Sequence, residues 1–146
     1  QIIESLYDAS CAGVKIDLIV RGICCLKTGI PKVSENITVR SIVGTFLEHA
    51  RIFRFENGGE PEYYMASADW MPRNLDKRVE ILFPVEDEIL KKEVIDMLNI
   101  GLSDTKKAYL MQPDGSYAKA DLRGKKLISA QETFVKMALA EAKQQK

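Results

Sequence analysis

The chain has one histidine, His49, and it stands two residues before Arg51 in the segment FLEHARIFRFENGGEPEYYMASADWMPRNLDKR (46–78). The far arm of this hairpin pattern ends in Ser67-Ala68-Asp69-Trp70-Met71-Pro72-Arg73-Asn74. A titratable imidazole near guanidinium groups, with hydroxyl and amide side chains across a turn, is equipment for handling phosphoryl groups. A neighbouring positive charge disfavours the imidazolium, and an arriving phosphate favours it again. Such a group can serve as a general acid or a charge-assisted donor. The bland alternative for His49 is a strand-end residue whose ring satisfies a backbone group.

Arg21 is the second candidate. It follows the apolar run Val14-Lys15-Ile16-Asp17-Leu18-Ile19-Val20 and precedes Gly22. The carboxyl ends of strands are where open α/β sheets bind ligands, and the planar fork of arginine suits phosphate oxygens. Arg51, Ser67, Arg73 and Asn74 complete the phosphate-binding candidates. Asp69 reads as a turn cap and Trp70 as a packing residue. Lys77-Arg78 reads as a solvated face, and Cys24-Cys25 as core packing. The acids at 86–88 have no metal-ligand spacing, so no metal residue is assigned.

These residues need a scaffold, and the periodicity supplies one. Ile2, Ile3, Leu6 and Ala9 recur at helical spacing over residues 1–12, with Gly13 as terminator. The run 14–20 reads as a strand whose nearly continuous apolar finish suggests a buried, parallel position. Residues 27–36 form a loop and 37–43 a second strand. Residues 51–55 and 62–67 are strands around Glu56-Asn57-Gly58-Gly59-Glu60-Pro61, where Asn-Gly is a strong hairpin signal. Another strand covers 79–85.

Glu86-Asp87-Glu88 then opens a helix to about Gly101, with Leu90, Val94, Met97, Leu98 and Gly101 as its inward stripe. Residues 106–112 and 116–118 flank the turn Pro113-Asp114-Gly115. Ser129-Ala130-Gln131-Glu132 is a capping box for a last helix through about Ala142, followed by a fraying tail, 143–146. The predicted class is α/β, a mixed β-sheet flanked by helices. Residues 1–146 read as a single domain, with 113–146 its most peripheral part.

Composition fits a folded chain of one domain's length: 146 residues, 46% hydrophobic and 29% charged. Lys+Arg and Asp+Glu both number 21, so net charge gives no support for a nucleic-acid partner. Three cysteines with no C-x-x-C spacing suggest a reduced, cytoplasmic setting. No run approaches the ~18 apolar residues of a membrane span, and no signal-peptide pattern opens the chain. The start at Gln1, already in helical rhythm, suggests a piece of something longer.

His49-x-Arg51, Glu56 five residues on, and Ser67-Ala68-Asp69-Trp70 resemble the second half-motif of the phospholipase D superfamily. That pattern is His-x-Lys, an acid (aspartate) five residues later, then Gly-Ser-x-Asn; Arg51 for lysine, Glu56 for aspartate and Asp69 for asparagine depart from it, and the hairpin is longer. A fuller match is carried by VKIDLIVRGICCL (14–26), SENITVRSIVGTFLEHARIFRFENGG (34–59), ASADWMPRNLDKRVEILFPV (66–85) and LMQPDGSY (110–117). Together they resemble the C-terminal phospholipase-D-like domain of polyphosphate kinases of the histidine-phosphorylating type.

The resemblance implies part of an enzyme that reversibly transfers the ATP γ-phosphoryl group to inorganic polyphosphate through a phosphohistidine. The phosphorylated histidine would lie in a preceding domain absent here, so the fragment alone is expected to be inactive. The positions matching Arg21 and His49 would contact the ATP phosphates, with His49 also the general acid. Mg²⁺ is implied, with ligands outside this chain. Implied partners are ATP or ADP, polyphosphate, the missing N-terminal domains and a second subunit in a homo-oligomer; peripheral membrane association is compatible. The sequence leaves two competitors: a phospholipase-D-like phosphodiesterase completed by homodimerisation, and a non-catalytic polyanion-binding module. The decisive expectation is that His49 and Arg21 meet around a shared anion.

Overall fold

Ile2, Ile3, Leu6 and Ala9 line one side of the first helix, α1 (Ile2–Cys11), in the computed structural model, which describes residues 1–120, 122–124 and 126–144. The helix ends where Gly13 takes φ +88°, with Val14 N–H donating to the Ala9 carbonyl and Gly13 N–H to that of Ser10, both at 3.0 Å. This paired closure is the Schellman arrangement, and it uses a glycine because an L side chain resists that backbone region. The chain then divides into two compact units, one of residues 1–46 and 101–146, the other Leu47–Ile100.

The first unit is built on strands β1 (Ile16–Ile19) and β2 (Ile37–Ile42), which run parallel with Ile16 opposite Ile37. Buried Leu26, Ile37, Val39 and Met111 form its core, and Ile3, Leu6, Tyr7, Ile16, Leu18 and Val20 pack against them. The parallel pairing expected for β1 is present, but burial on both faces is not. β1 is an edge strand with alternating burial, so Asp17 and Ile19 are exposed. Its apolar run reflects one covered face plus exposed aliphatics, which periodicity alone cannot separate.

In the second unit β3 (Ile52–Phe55) and β4 (Glu62–Ala66) pair antiparallel with Phe55 opposite Glu62. Asn57, Gly58 and Gly59 in the connecting turn have φ of 44°, 67° and 103°, the positive values that the Asn-Gly signal anticipates. After β4 comes a short helix, α2 (Pro72–Lys77), where the sequence suggested a turn. Pro72 opens it, its fixed φ suiting a first helical position. Strand β5 (Leu82–Pro84) pairs with β4, shorter than the expected 79–85.

Helix α3 (Glu88–Leu102) begins where Asp87 Oδ1 accepts the Ile89 and Leu90 N–H groups at 2.9 and 3.0 Å. Tyr63, Val85 and Val94 are the unit's buried core, with Ile95 and Leu98 beside them. Leu90 and Met97, expected on the inward stripe, are exposed, because three strands present too small a core to cover the whole stripe. Gly101 is buried, and a Cβ there would stand 2.8 Å from Ile19 Cδ1.

Strand β6 (Ala108–Met111) pairs antiparallel with β2, and β7 (Tyr117–Lys119) with β6, giving the four-stranded order β1-β2-β6-β7. Asp114 Oδ1 closes their turn by accepting from Ser116 N–H and Oγ at 2.9 and 2.6 Å. These bonds to Ser116 hold the Asp114 carboxyl below its ordinary range. The last helix is α4 (Ala130–Gln144). Ser129 Oγ accepts Glu132 N–H at 3.4 Å, the cap expected, while the Glu132 carboxylate turns to Lys106. α4 extends through Gln144, and the last two residues of the expected fraying tail, Gln145 and Lys146, lie outside the described residues. The chain is thus α/β, with a mixed four-stranded sheet, a three-stranded antiparallel sheet and helices.

Candidate phosphate site

Arg21 sits in the first unit, two residues beyond the carboxyl end of β1. Val20 N–H donates to the Arg40 carbonyl at 2.9 Å, which carries the parallel pairing to the residue before it. Ser41 Oγ then donates to the Arg21 carbonyl at 3.4 Å. The Arg21 side chain is exposed, and Gly22 has open space where a Cβ would be. This is the edge of a parallel pair where strand carboxyl ends gather.

His49 lies in the second unit, exposed in the irregular stretch that leads into β3. Its main-chain carbonyl accepts from Arg51 Nη1 at 2.6 Å. The other side of the Arg51 guanidinium is taken by Asp69: Nε and Nη2 approach Oδ1 at 3.0 and 2.9 Å. The sequence suggested Asp69 as a cap for backbone amides; its side chain instead makes an ion pair 18 residues away. Arg51 and Asp69 are two of the three departures from the phospholipase D half-motif, and they are partners. The third, Glu56, pairs with Arg54. Arg54 is held in its charged form chiefly by the Tyr63 hydroxyl at 3.3 Å and then by Glu56.

Around this pair the segment after β4 is fastened to β3. Ala66 N–H donates to the Arg51 carbonyl at 2.9 Å, one step beyond the Ile52–Met65 register. The Trp70 ring stacks on Phe53 with centroids 5.0 Å apart and planes 5° from parallel. Trp70 therefore packs, as expected. Ser67 Oγ donates to Glu80 Oε2 and accepts Ile81 N–H at 3.0 Å, so the hydroxyl ties the segment to the chain entering β5. Arg73 and Asn74 both fall in α2, Arg73 exposed and Asn74 only 4% exposed. Asn74 Oδ1 has no hydrogen-bond partner among the described residues.

The structure thus gathers His49, Arg51, Ser67 and Asp69 around the entrance to β3. Cys24 packs at the edge of the first core, whereas Cys25 is exposed, contrary to the expectation for the pair; neither is in a disulfide, nor is Cys11. The apolar run before them ends at Val20, leaving Cys25 on the open side of a loop. Among the described residues no group of three His, Cys, Asp or Glu side chains could hold a metal ion. Among the same residues no helix is long and apolar enough to cross a membrane.

One junction escaped the sequence entirely. Asp104 is 2% exposed; its Oδ1 accepts Lys107 and Ala108 N–H at 2.7 and 3.1 Å, and its Oδ2 accepts Ala130 N–H at 2.7 Å. One carboxylate thereby joins the start of β6 to the first turn of α4. No local pattern marks a residue whose partner lies 26 positions away.

Residues 1–131 match the family model described as polyphosphate kinase C-terminal domain 2. The chain belongs to that family. The polyphosphate kinase of Synechocystis sp. is 54% identical over 142 residues, 97% of this chain and 20% of its own length. That of Pseudomonas putida is 56% identical over 124 residues, 85% of this chain and 17% of its own. The crystal structure of polyphosphate kinase from Porphyromonas gingivalis matches 98% of this chain with a TM-score of 0.90 at 43% identity, and 22% of its own chain is covered. The chain therefore spans about a fifth of the length of these polyphosphate kinases.

Proposed function

We propose that residues 1–146 form one C-terminal catalytic domain of an ATP–polyphosphate phosphotransferase, with 113–146 as its peripheral hairpin and C-terminal helix. The observation that carries this is the match of nearly the whole chain to a polyphosphate kinase structure at high identity. Arg21 and His49, both exposed, supply a guanidinium fork and an imidazole for ATP and polyphosphate oxygens. Arg73 and Asn74 are further candidates on α2, and Ser67 is another.

Phosphoryl transfer asks chiefly for positioning and for charge neutralisation around a loose transition state. In the forward direction the bond from the γ-phosphorus to the β–γ bridging oxygen breaks. A bond to a histidine nitrogen in a preceding domain forms, and the phosphoryl group then passes to the terminal oxygen of the polyphosphate chain. Arg21 holds the transferring oxygens, and His49 donates a proton to the leaving oxygen. Mg²⁺, which the family resemblance implies, finds no group of three His, Cys, Asp or Glu side chains among the described residues. Three thiols outside disulfides support a cytoplasmic setting.

In the full-length protein, His49→Ala should lower kcat for ATP-dependent chain growth by about 10²–10⁴-fold, the usual worth of a general acid. Arg21→Ala should raise the KM for ATP as well as lower kcat. Chain growth at the wild-type rate in His49→Ala would overturn the assignment. A phosphodiesterase is disfavoured by Arg51 and Asp69, which neutralise one another where that chemistry uses lysine and asparagine. Hydrolysis of a model phosphodiester by the isolated chain would restore it.

A further inference from the structure

Each of the three guanidinium nitrogens of Arg51 makes a contact inside the protein. Nε and Nη2 lie 3.0 and 2.9 Å from Asp69 Oδ1, and Nη1 lies 2.6 Å from the His49 carbonyl oxygen. We propose that Arg51 and Asp69 are positioning residues for His49 and not phosphate ligands: the Asp69 carboxylate anchors the guanidinium, which in turn fixes the peptide plane that carries the imidazole.

The geometry makes the chain of contacts directional. Asp69 is itself set by the Phe53–Trp70 stack and by the Ala66–Arg51 main-chain bond, so the carboxylate is presented from a segment already tied to β3. The guanidinium spans two acceptors at once because its donors lie in one rigid plane; a lysine ammonium is a point charge and cannot hold that fork. With the His49 carbonyl held, the peptide plane that follows the imidazole-bearing Cα is restrained, which narrows the positions the ring can take. Without that bond the peptide plane in an irregular stretch is free to turn, and displacements of about 1 Å can cost on the order of a hundredfold in rate.

The pair contributes little to folding. Its side chains are 26% and 52% exposed, and solvent screens an ion pair at such a position. Loss of Asp69 should therefore damage turnover far more than stability. A phosphate ligand would behave differently: removing the acid that masks Arg51 would tighten ATP binding.

The inference rests on the assignment of His49 to the transfer step, and the test separates the two. In the full-length enzyme Asp69→Ala and Arg51→Lys should each lower kcat about tenfold or more, with KM for ATP within about threefold of wild type. Their double variant should be no worse than the more damaging single, because both break one chain of contacts. In a His49→Ala background, Asp69→Ala should cost nothing further, an outcome that a merely structural residue would not give.

Asp69→Ala within about twofold of the wild-type kcat, or Arg51→Lys raising KM for ATP with kcat intact, overturns the proposal. If the alanine variant fails to fold, Asp69→Glu carries the test: it keeps the charge but moves it by one methylene. A lowered kcat at constant KM supports the proposal, and a wild-type kcat overturns it. If His49→Ala itself turns over normally, the fault lies in the functional assignment.

Discussion

The two units hold their candidate site residues in different ways. In the unit of residues 1–46 and 101–146, Arg21 follows a strand whose partner β2 carries Ile37 and Val39 into a core shared with Leu26 and Met111. In Leu47–Ile100 the core is Tyr63, Val85 and Val94, and the aliphatic stretch Val79, Ile81 and Leu82 is exposed. There the polar residues are arranged by an ion pair, a ring stack and main-chain bonds. Burial positions the first set, so a core change should propagate widely. Surface contacts position the second, so a change there should act locally and show in function before it shows in folding.

The largest test of this contrast is a pair of aliphatic deletions. Ile37→Ala, at a site 3% exposed, should destabilise the chain by about 2–5 kcal/mol. Leu82→Ala, at a site 63% exposed, should fall within about 0.5 kcal/mol of wild type. Urea denaturation measures both, and similar costs for the two would erase the distinction.

A smaller effect is expected at Gly44. A Cβ there would stand 2.2 Å from Gln131 Oε1. That oxygen accepts Phe46 N–H at 3.0 Å, while Gln131 Nε2 donates to the Phe46 carbonyl at 2.8 Å. Gly44→Ala must therefore dislodge a buried amide from both main-chain groups of Phe46, at about 1–3 kcal/mol for the bonds lost. Gln131→Ala should cost a similar amount, and the double variant no more than the larger single. Additive losses would show that the two residues act separately.

Smaller again is the ring stack. Trp70 is the chain's single tryptophan, so its emission reports on the second unit alone. Phe53→Ala should remove about 0.5–1.5 kcal/mol of ring–ring interaction beyond buried area and shift the emission toward that of a solvated indole. Unchanged emission would mean that the stack does not order the segment carrying Asp69.

What the sequence revealed follows the range of its signals. α1, β2, the Asn-Gly hairpin, α3 and α4 are announced by periodicity, caps and turn residues acting within a few positions. α2 was missed because six residues carry too little period, and Pro72 reads equally as a turn former and a helix opener. Leu90, Met97 and Cys25 have the composition of core residues, and only the small size of the second sheet and the course of a loop leave them exposed. Asp104 and the Arg51–Asp69 pair depend on contacts across 26 and 18 positions, which no local pattern encodes. The pair leaves one trace in the sequence, two separate departures from a familiar half-motif, which the fold brings together as partners.

The smallest expected effect belongs to the first unit's surface, where its positioning by burial gives way to charge. Glu132, in the first turn of α4, pairs with Lys106, and that bond holds its carboxyl below the ordinary value of 4.5. A carboxyl whose folded value is depressed binds protons more weakly folded than unfolded. Its stabilisation is therefore complete above the unfolded value and fades as pH falls through the folded one. Glu132→Gln should melt slightly below wild type at neutral pH, and the gap should close as the solution is acidified past the carboxylate range. Because both side chains are about half exposed, the neutral-pH gap should also shrink at about 1 M salt, where the screening length falls to about 3 Å. A gap that persists in acid would assign the loss to packing at the helix start, and would extend positioning by burial to the surface of that unit.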